Sequence, residues 1–511
     1  MLTKLQSLAQ VYAVEGLART CGHLWTRFRK PSYARWLQSA EPVSAAFVDL
    51  QPKAQSDSPI RLTAGGESYF VLVDPNGILA AGALDEISRF TQKKPQADFI
   101  YADEDCITPQ GERICPFFKP DWAPEYFQAL GYVGGLSIYR ASLVEQMGGL
   151  YDWQDAAQPW HFTLRFLEQA QTVAHIPKVL YHRQIGNVSE AELNVTYPEA
   201  AKLALEKMIQ RSPYPGWVDK GPLPGFFQVR RQLVAQPLVS IVIPSAAKRL
   251  ETANGSICLL EQCLQSIRAL TIYPNYEIVI VDGNEISPAI LKSFAASNVR
   301  VVHSDRTFNF SNRMNFAIAH TQGDILLMLN DDIEVLTPHW IELMLELAQQ
   351  DDIGAVGAKL FFPDGRLQHV GIVMLAGRPV HAFHKAPGDH PGYFGSNGVT
   401  RNYLGVTAAC LMMRKAVFDE IGGFDEGLPL NFNDVDLCLR AHQAGYRNVV
   451  VPQAQLTHYE SVSRGATWQN WELKALHNRH QGMPYLKQDP FYNPNLNPLG
   501  CNFDLGVPFN G

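Results

Sequence analysis

From Val239 onward, short runs of continuous apolar residues recur: VSIVIP (239–244), YEIVIVDG (276–283), VRVVHSD (299–305) and ILLML (325–329). Runs of this length without alternation predict strands buried on both faces. Between them, LLEQCLQSIRAL (259–270) and the stretch around NRMNFAIAH (312–320) carry helical spacing. Strands alternating with helices predict a mostly parallel sheet covered by helices on both sides. One run ends oddly. LLMLNDDIEVL (326–336) passes from an apolar strand straight into Asn330-Asp331-Asp332. Two adjacent carboxylates at a strand end need something to offset their repulsion.

The pattern also repeats. IYRASLVEQMGGLYDW (138–153) aligns without gaps with MMRKAVFDEIGGFDEG (412–427). Each is followed by a polar segment, an arginine (Arg165 or Arg440), and a strand ending in histidine, HIPKVLYH (175–182) or VVVPQAQLTH (449–458). Such internal similarity implies two copies of one structural unit. The first is expected to be incomplete, because too little sequence precedes Tyr69 here to supply the opening strands found at 239–283 in the second. KGPLPGFFQVRRQLVAQPL (220–238) is Pro- and Gly-rich at one end and reads as a linker. The expected organisation is an N-terminal helix and connector (1–59), a degenerate first unit (60–219), a linker (220–237), a complete α/β domain (238–490) and a tail (491–511).

Composition narrows the function. With 511 residues, 46% hydrophobic and 18% charged, the chain is sized for two or three folded domains. A net charge of -7 gives no basic face for nucleic acid. Eight cysteines without a CxxC pair argue against a zinc ribbon or disulfide framework and for a reducing, cytoplasmic setting. No apolar window reaches the ~18 residues of a membrane span, and no signal-like apolar stretch precedes Glu15. The first 36 residues set Lys4, Arg19, Arg27, Arg29, Lys30 and Arg35 against Glu15, with Leu2, Leu5, Leu8 and Tyr12 at helical spacing. This pattern suits either a helix packed on its own domain or a peripheral helix on an anionic membrane face.

In open α/β sheets, ligands bind beyond the carboxyl ends of the strands. There the second copy carries Asp282, the Asn330-Asp331-Asp332 triplet and, in LTHYESVSRG, His458, Ser461, Ser463 and Arg464. NFNDVDLCLR adds Asp434 and Asp436 at the start of an amphipathic helix. Each feature has a structural reading: helix caps for Asp282, Asp434 and Asp436, an Asx turn for the triplet, a loop histidine for His458. Together, clustered carboxylates and an imidazole suit Mg2+ or Mn2+ bound with substrate phosphates.

These stretches, with NYEIVIVDG, FNFSNRMNFAIAHTQGD, GAKLFFPDGRLQHVGIV and IGGFDE, resemble in order, from 238 to 465, a family 2 glycosyltransferase of the GT-A fold. The tail DPFYNPNLNP resembles bacterial members that build O-antigen and similar polysaccharides. The resemblance implies a mixed, Rossmann-like sheet flanked by helices, preceded by a degenerate, truncated GT-A-like domain. It implies an inverting, metal-dependent transfer from a nucleotide-diphosphate sugar to a glycan acceptor, carried on a lipid at the inner face of the cytoplasmic membrane. Asp332 and His458 are then the metal ligands and Asp434 the catalytic base, with Asn433 in place of the usual glutamate. Pro244, Asp282, Asn315, Asn330, Asp331 and Arg464 lie on the donor side, and Asp436, Gly422 and Gly423 on the acceptor side. The closest motif style is that of rhamnosyltransferases using dTDP-rhamnose; a UDP-hexose or UDP-N-acetylhexosamine donor and a protein acceptor stand as alternatives.

In the first copy, FVLVDPNG (70–77) offers only Asp74 where the triplet would be. AQPWHFTLR (157–165) sets Pro159 opposite Asp434 and His161 opposite Asp436, which leaves no carboxylate for a base. A non-catalytic unit is expected, against a second active site built on Asp103 and Asp105. A scaffold in which both copies are inactive is the competing class, and a nucleotidyltransferase is disfavoured because no Gly-rich basic loop follows VSIVIP. HAFHKAPGDHPGYFGSNG (381–398), with His381, His384 and His390, is expected to be a mobile loop on the acceptor side rather than a metal site.

Overall fold

The computed structural model describes residues 33–34, 36–37, 59–150, 158–184, 197–252, 255–293, 298–459 and 470–506. The basic N-terminal residues through Arg35, and Ser461, Ser463 and Arg464, lie outside the described residues. The chain divides into two compact units. One runs through Arg230 and takes back Pro490–Pro498 and the residues from Phe503; the other comprises Arg231–Asp489 and Leu499–Asn502.

The first unit is built on β1 (Ile60–Ala64), β2 (Glu67–Val73), β3 (Gly77–Leu79), β4 (Phe99–Ile107), β5 (Arg113–Phe117), β6 (Leu136–Arg140) and β7 (Val173–Gln184). Their order is β1-β2-β6-β4-β7-β3, with β5 beside β4. Only β4 and β7 run parallel. Tyr69 and Val71 alternate inward on β2 and meet Ile87 of helix Ala83–Lys93, Ile100, Ile138 and Ile176. The hairpin of β8 (Gly216–Lys220) and β9 (Phe227–Arg231) follows, so the stretch expected to be a linker carries a strand, and the unit boundary falls at its end. Pro490–Pro498 is part of this unit, although 491–498 were expected in a separate tail and Pro490 in the α/β domain. The Asn493 amide donates to both oxygens of Asp103, at 3.1 and 3.0 Å, and the Asn495 amide to the Pro177 carbonyl.

The second unit opens with β10 (Val239–Ser245), the hairpin β11 (Arg249–Thr252) and β12 (Gly255–Cys258), β13 (Tyr276–Asp282), β14 (Val299–His303) and β15 (Ile325–Leu329). It continues with β16 (Ile333–Val335), β17 (Ile353–Phe361), β18 (Leu367–His369), β19 (Ile372–Leu375), β20 (Arg378–His381), β21 (Arg401–Tyr403), β22 (Cys410–Arg414) and β23 (Arg447–His458). The main sheet has the order β14-β13-β10-β15-β22-β17-β23-β16, with β18 on β17 and β21 on β23. β14, β13, β10 and β15 are parallel, joined through helices Leu259–Leu270, Pro288–Ser293 and Phe310–Ile318. This is the α/β fold expected of a GT-A domain. Leu260, Leu264 and Ile267 pack from the first helix onto Ile241, Ile243, Ile278 and Ile280, each apolar side chain contributing about 1.5–3 kcal/mol on burial.

Half of each unit's sheet follows the same pairing pattern. β2 with β6, β6 with β4, β4 with β5 and β7 with β3 are antiparallel, and β4 with β7 is parallel. β15 with β22, β22 with β17, β17 with β18, β23 with β16, and β17 with β23 repeat these relations. They part company at the other edge. β2 is followed outward by one antiparallel strand, β1, where β15 has the parallel series β10, β13 and β14.

Candidate active site

The carboxyl ends of the parallel strands carry one row of polar side chains. β14 ends in His303, β13 in Asp282 and β10 in Ser245, and the registers set Ser245 opposite Asp282 and Asp282 opposite His303. Past β15 come Asn330, Asp331 and Asp332, and Ile333 pairs with His458 at the end of β23. Asp282 is buried. Its Oδ1 accepts the N–H groups of Glu285 (2.8 Å) and Ile286 (3.1 Å), and His303 Nδ1 lies 3.3 Å from Oδ2. Pro244 sits beyond Val242, the last β10 residue paired with β15, so its missing N–H breaks no bond on that side.

The two adjacent carboxylates turn to different partners. Asp331 accepts a 2.5 Å hydrogen bond from Ser245 Oγ, a residue the motif reading passed over. Asp332 Oδ1 lies 3.1 Å from His458 Nε2, and the Asn330 amide reaches the same nitrogen at 3.4 Å. A divalent ion fits this pair, since two donors at ~2.1 Å on neighbouring octahedral positions stand ~3 Å apart. Among the described residues no cluster of three or more His, Cys, Asp or Glu side chains could hold a metal ion. Asp332 and His458 would be its two protein donors, leaving the other positions of such an ion to further oxygen ligands.

Asp434 opens helix Asn433–Gln443, preceded by Phe432 in the left-handed region (φ 62°). Its carboxylate accepts the N–H of Ala408 (3.1 Å) at Oδ2 and of Val435 (2.8 Å) at Oδ1. Burial pushes its pKa above the ordinary carboxylate range, and these amide bonds pull it part of the way back. A raised pKa strengthens a carboxylate as a base. Asn433 ties the turn, accepting from Asp434 N–H and donating to the Leu430 carbonyl. Buried Glu472 clamps the preceding loop through Asn431 and the Leu430 N–H.

The loop between β21 and β22 joins Asp434 to the strand-end triplet. Ala408 N–H reaches Asp434, and the Ala409 carbonyl accepts the Asn330 N–H at 3.1 Å. Gly357 lets the loop approach β17, because a Cβ there would lie 2.7 Å from Cβ of Val406.

The remaining expected residues are placed away from this row. Asn315 spends its amide on the backbone of Phe424, accepting its N–H and donating to its carbonyl, both at 2.9 Å. Asn309 and Asn312 on the same helix also bind this segment, through the Glu426 carbonyl and carboxylate. Asn315 thus fastens the segment leading to Asp434. Gly422 and Gly423 are both left-handed, and a Cβ on Gly423 would meet Asn315 Oδ1 at 3.0 Å. Asp436 is fully buried among Arg440, Arg479 and His480, at 2.7, 3.0 and 2.9 Å, so its oxygens face an ion-pair network rather than an acceptor. The His381–His390 stretch is an ordered turn packed on β18, with His381 Nδ1 2.9 Å from His369 Nδ1.

In the first unit, Asp103 and Asp105 are buried and fully engaged. Asp103 accepts from Lys119 N–H, His175 and Asn493; Asp105 accepts from Tyr33 (2.6 Å), Arg113 (2.7 Å) and His182 (2.6 Å). The strand-end histidines do not correspond. Gly77 pairs with Arg183 as Ile333 pairs with His458, so an arginine occupies the position of the second unit's histidine.

Residues 240–422 match the family model for glycosyl transferase family 2. The chain carries a family 2 glycosyltransferase domain. It is 36% identical over 474 residues to the protein y4gI of Sinorhizobium fredii, an alignment covering 89% of this chain and 51% of that one. It is 33% identical over 485 residues to the O-antigen biosynthesis protein RfbC of Myxococcus xanthus, covering 91% and 37%. A 60-residue stretch is 38% identical to an N-acetylglucosaminyl-diphospho-decaprenol L-rhamnosyltransferase of Mycobacterium tuberculosis, covering 12% and 20%. The chain thus spans about half or less of the relatives it matches along most of its length. The family 2 domain contains β10, β13, β14 and the Asn330-Asp331-Asp332 triplet, while Asp434 and His458 lie just beyond the matched residues. Among the described residues, no helix is long and apolar enough to cross a membrane.

Proposed function

We propose that this chain transfers a sugar from a nucleoside-diphosphate donor to a glycan hydroxyl, with inversion at the anomeric carbon. The observation that carries the reading is the Thr407–Ala409 loop. It hydrogen-bonds the buried, raised-pKa Asp434 on one side and the Asp332-bearing strand end on the other. Asp434 takes the proton of the acceptor hydroxyl, whose oxygen forms a bond to C1 of the donor sugar. The C1–O bond to the diphosphate breaks, and the nucleoside diphosphate departs with the electron pair. Asp282 and His303 hold the nucleoside end, Ser245 orients Asp331, and Asp332 with His458 would hold Mg2+ or Mn2+. A divalent ion there supplies charge stabilisation to the departing diphosphate.

Rhamnose from dTDP-rhamnose is the proposed donor and a lipid-linked glycan the proposed acceptor. The support is the likeness to the rhamnosyltransferase, whose name specifies a decaprenol-linked substrate, and to the O-antigen protein. The first unit is proposed as a non-catalytic GT-A-like half. The engagement of Asp103 and Asp105 supports this, as does Tyr181, whose ring would lie 2.3 Å from a Cβ on Gly77.

The test is ligand-dependent thermal stability with dTDP-rhamnose, UDP-galactose and UDP-N-acetylglucosamine, each with and without Mn2+. Stabilisation by dTDP-rhamnose with Mn2+ supports the full reading. Stabilisation by a UDP-sugar alone replaces the donor and keeps the reaction. No shift with any donor returns the chain to a scaffold role.

A further inference from the structure

The pair of buried His369 and half-buried His381 is used by nothing in the transfer chemistry above. His369 ends β18 and is fully buried; His381 ends β20. His369 Nε2 accepts the peptide N–H of Thr407 at 3.4 Å. A peptide N–H can only donate, so Nε2 carries no proton and Nδ1 does. His369 Nδ1–H then donates to His381 Nδ1, 2.9 Å away, which leaves the His381 proton on Nε2. Every role in the chain is fixed.

The next two residues of that loop carry the two halves of the site. Ala408 N–H holds the Asp434 carboxylate, and the Ala409 carbonyl holds the Asn330 N–H. Three consecutive residues thus have three anchors: an imidazole, the base and the strand-end triplet. Cys438 Sγ adds a weak contact at Val406, 3.6 Å from its carbonyl oxygen. The His369 anchor comes from a third strand, β18, and fixes the rotation of the Thr407 peptide, which in turn aims the Ala408 N–H.

We propose that the His369–His381 pair is a positioning device that sets the Thr407–Ala409 loop and, through it, the orientation of the Asp434 carboxylate relative to the Asn330–Asp332 strand end. Both imidazoles must stay neutral to do this. Burial holds them so: it drives His369 well below the usual histidine range and His381, helped by His384, down to about 3. The geometry also gives the pair a substitution rule. Any side chain at 369 must present an uncharged acceptor to Thr407, and glutamine can do so where alanine cannot.

The test uses the full chain with His369→Ala, His369→Gln and His381→Ala. Amide hydrogen exchange is read peptide by peptide, and donor turnover is followed with dTDP-rhamnose and UDP-N-acetylglucosamine as probes. The kinetic arm rests on the transferase reading; the exchange arm does not. In the two alanine variants, exchange over the 405–411 peptide should rise about tenfold or more while β10, β13 and β15 stay protected. kcat should fall about 10–100-fold with donor KM nearly unchanged, the size expected for a misaimed catalytic group. His369→Gln should recover most of both losses. The proposal is overturned if exchange over 405–411 is unchanged, if protection is lost throughout the second unit, or if glutamine fares no better than alanine. If wild type turns over neither probe, the transferase reading loses its support with these donors, and the exchange arm still decides the positioning role.

Discussion

Asp332 Oδ1 and His458 Nε2 stand 3.1 Å apart, one just past the end of β15 and the other at the last position of β23. The strands are far apart in sequence, and the pair exists only because β16 turns back from the triplet and pairs antiparallel with β23. Removing either side chain should abolish metal-dependent donor binding while the sheet persists. Wild type at 100 times the dissociation constant of donor plus Mn2+ should gain roughly 2.7 kcal/mol of stability. Asp332→Ala and His458→Ala should gain none, as read by urea melts with and without the ion; equal gains would remove the metal site.

Asp434→Asn keeps the shape of the side chain and its acceptor oxygen for Ala408 N–H, yet cannot take a proton. kcat should fall by ~10²–10⁴-fold with little change in KM. The base works only when ionised, so wild-type turnover should decline as pH falls through the raised pKa of Asp434. That acid limb should lie above the usual range for aspartate. Steady-state kinetics across pH for both proteins checks this.

Two histidine groups should give the units opposite stability profiles. In the first unit, burial alone would lower the pKa of His175, but its pairing with Asp103 and Asp121 outweighs this and raises it to about 9. Its contribution is complete below the unfolded value of about 6.5 and is lost as pH rises through about 9. In the second unit His369 and His381 are held neutral, so their contribution is complete above about 6.5 and is lost as pH falls below it. Urea unfolding read separately for the two units by pulse-labelled hydrogen exchange should show the first weakening in alkali and the second in acid.

Asp436 is expected to matter for stability rather than for contact with substrate. Truncation to alanine leaves Arg440 and His480 without their shared buried partner and should cost about 3–5 kcal/mol. Well below the lowered melting temperature, kcat should stay within a few-fold of wild type. A large loss of kcat without a stability loss would return Asp436 to the acceptor side.

The catalytic half of the fold was unusually legible in the sequence. Strands buried on both faces leave continuous apolar runs, so β10, β13 and β15 emerge within a residue or two of their expected limits; β14 does too, although it lies at the sheet edge and is only half-buried. The repeat was readable for the same reason, since MMRKAVFDEIGG and IYRASLVEQMGG encode the same strand and helix start in β22 and β6. What escaped was side-chain direction. Asn315 belongs to a motif, yet its amide faces Phe424, and nothing in a linear pattern distinguishes the two faces of a short buried helix. Ser245 was hidden by being an ordinary serine after an apolar run; its signal was its register opposite Asp282. The counterpart of His458 is Arg183 rather than the strand-end His182: aligning Pro177 with Pro452 without gaps sets Arg183 opposite His458, and the strand registers agree. The helix Trp340–Ala348 went unremarked, being apolar nearly all round and without a polar stripe to betray its period.

The link between Asn330 and Ala409 is made by backbone atoms alone. No side-chain replacement at either position removes its donor or its acceptor, proline at 330 excepted. The spacing between Asp434, the proposed base, and the proposed metal pair is therefore insulated from drift in the residues proposed to hold the donor. A lineage could exchange one sugar nucleotide for another by changing side chains along β13 and β14, without recalibrating the distance on which the displacement depends.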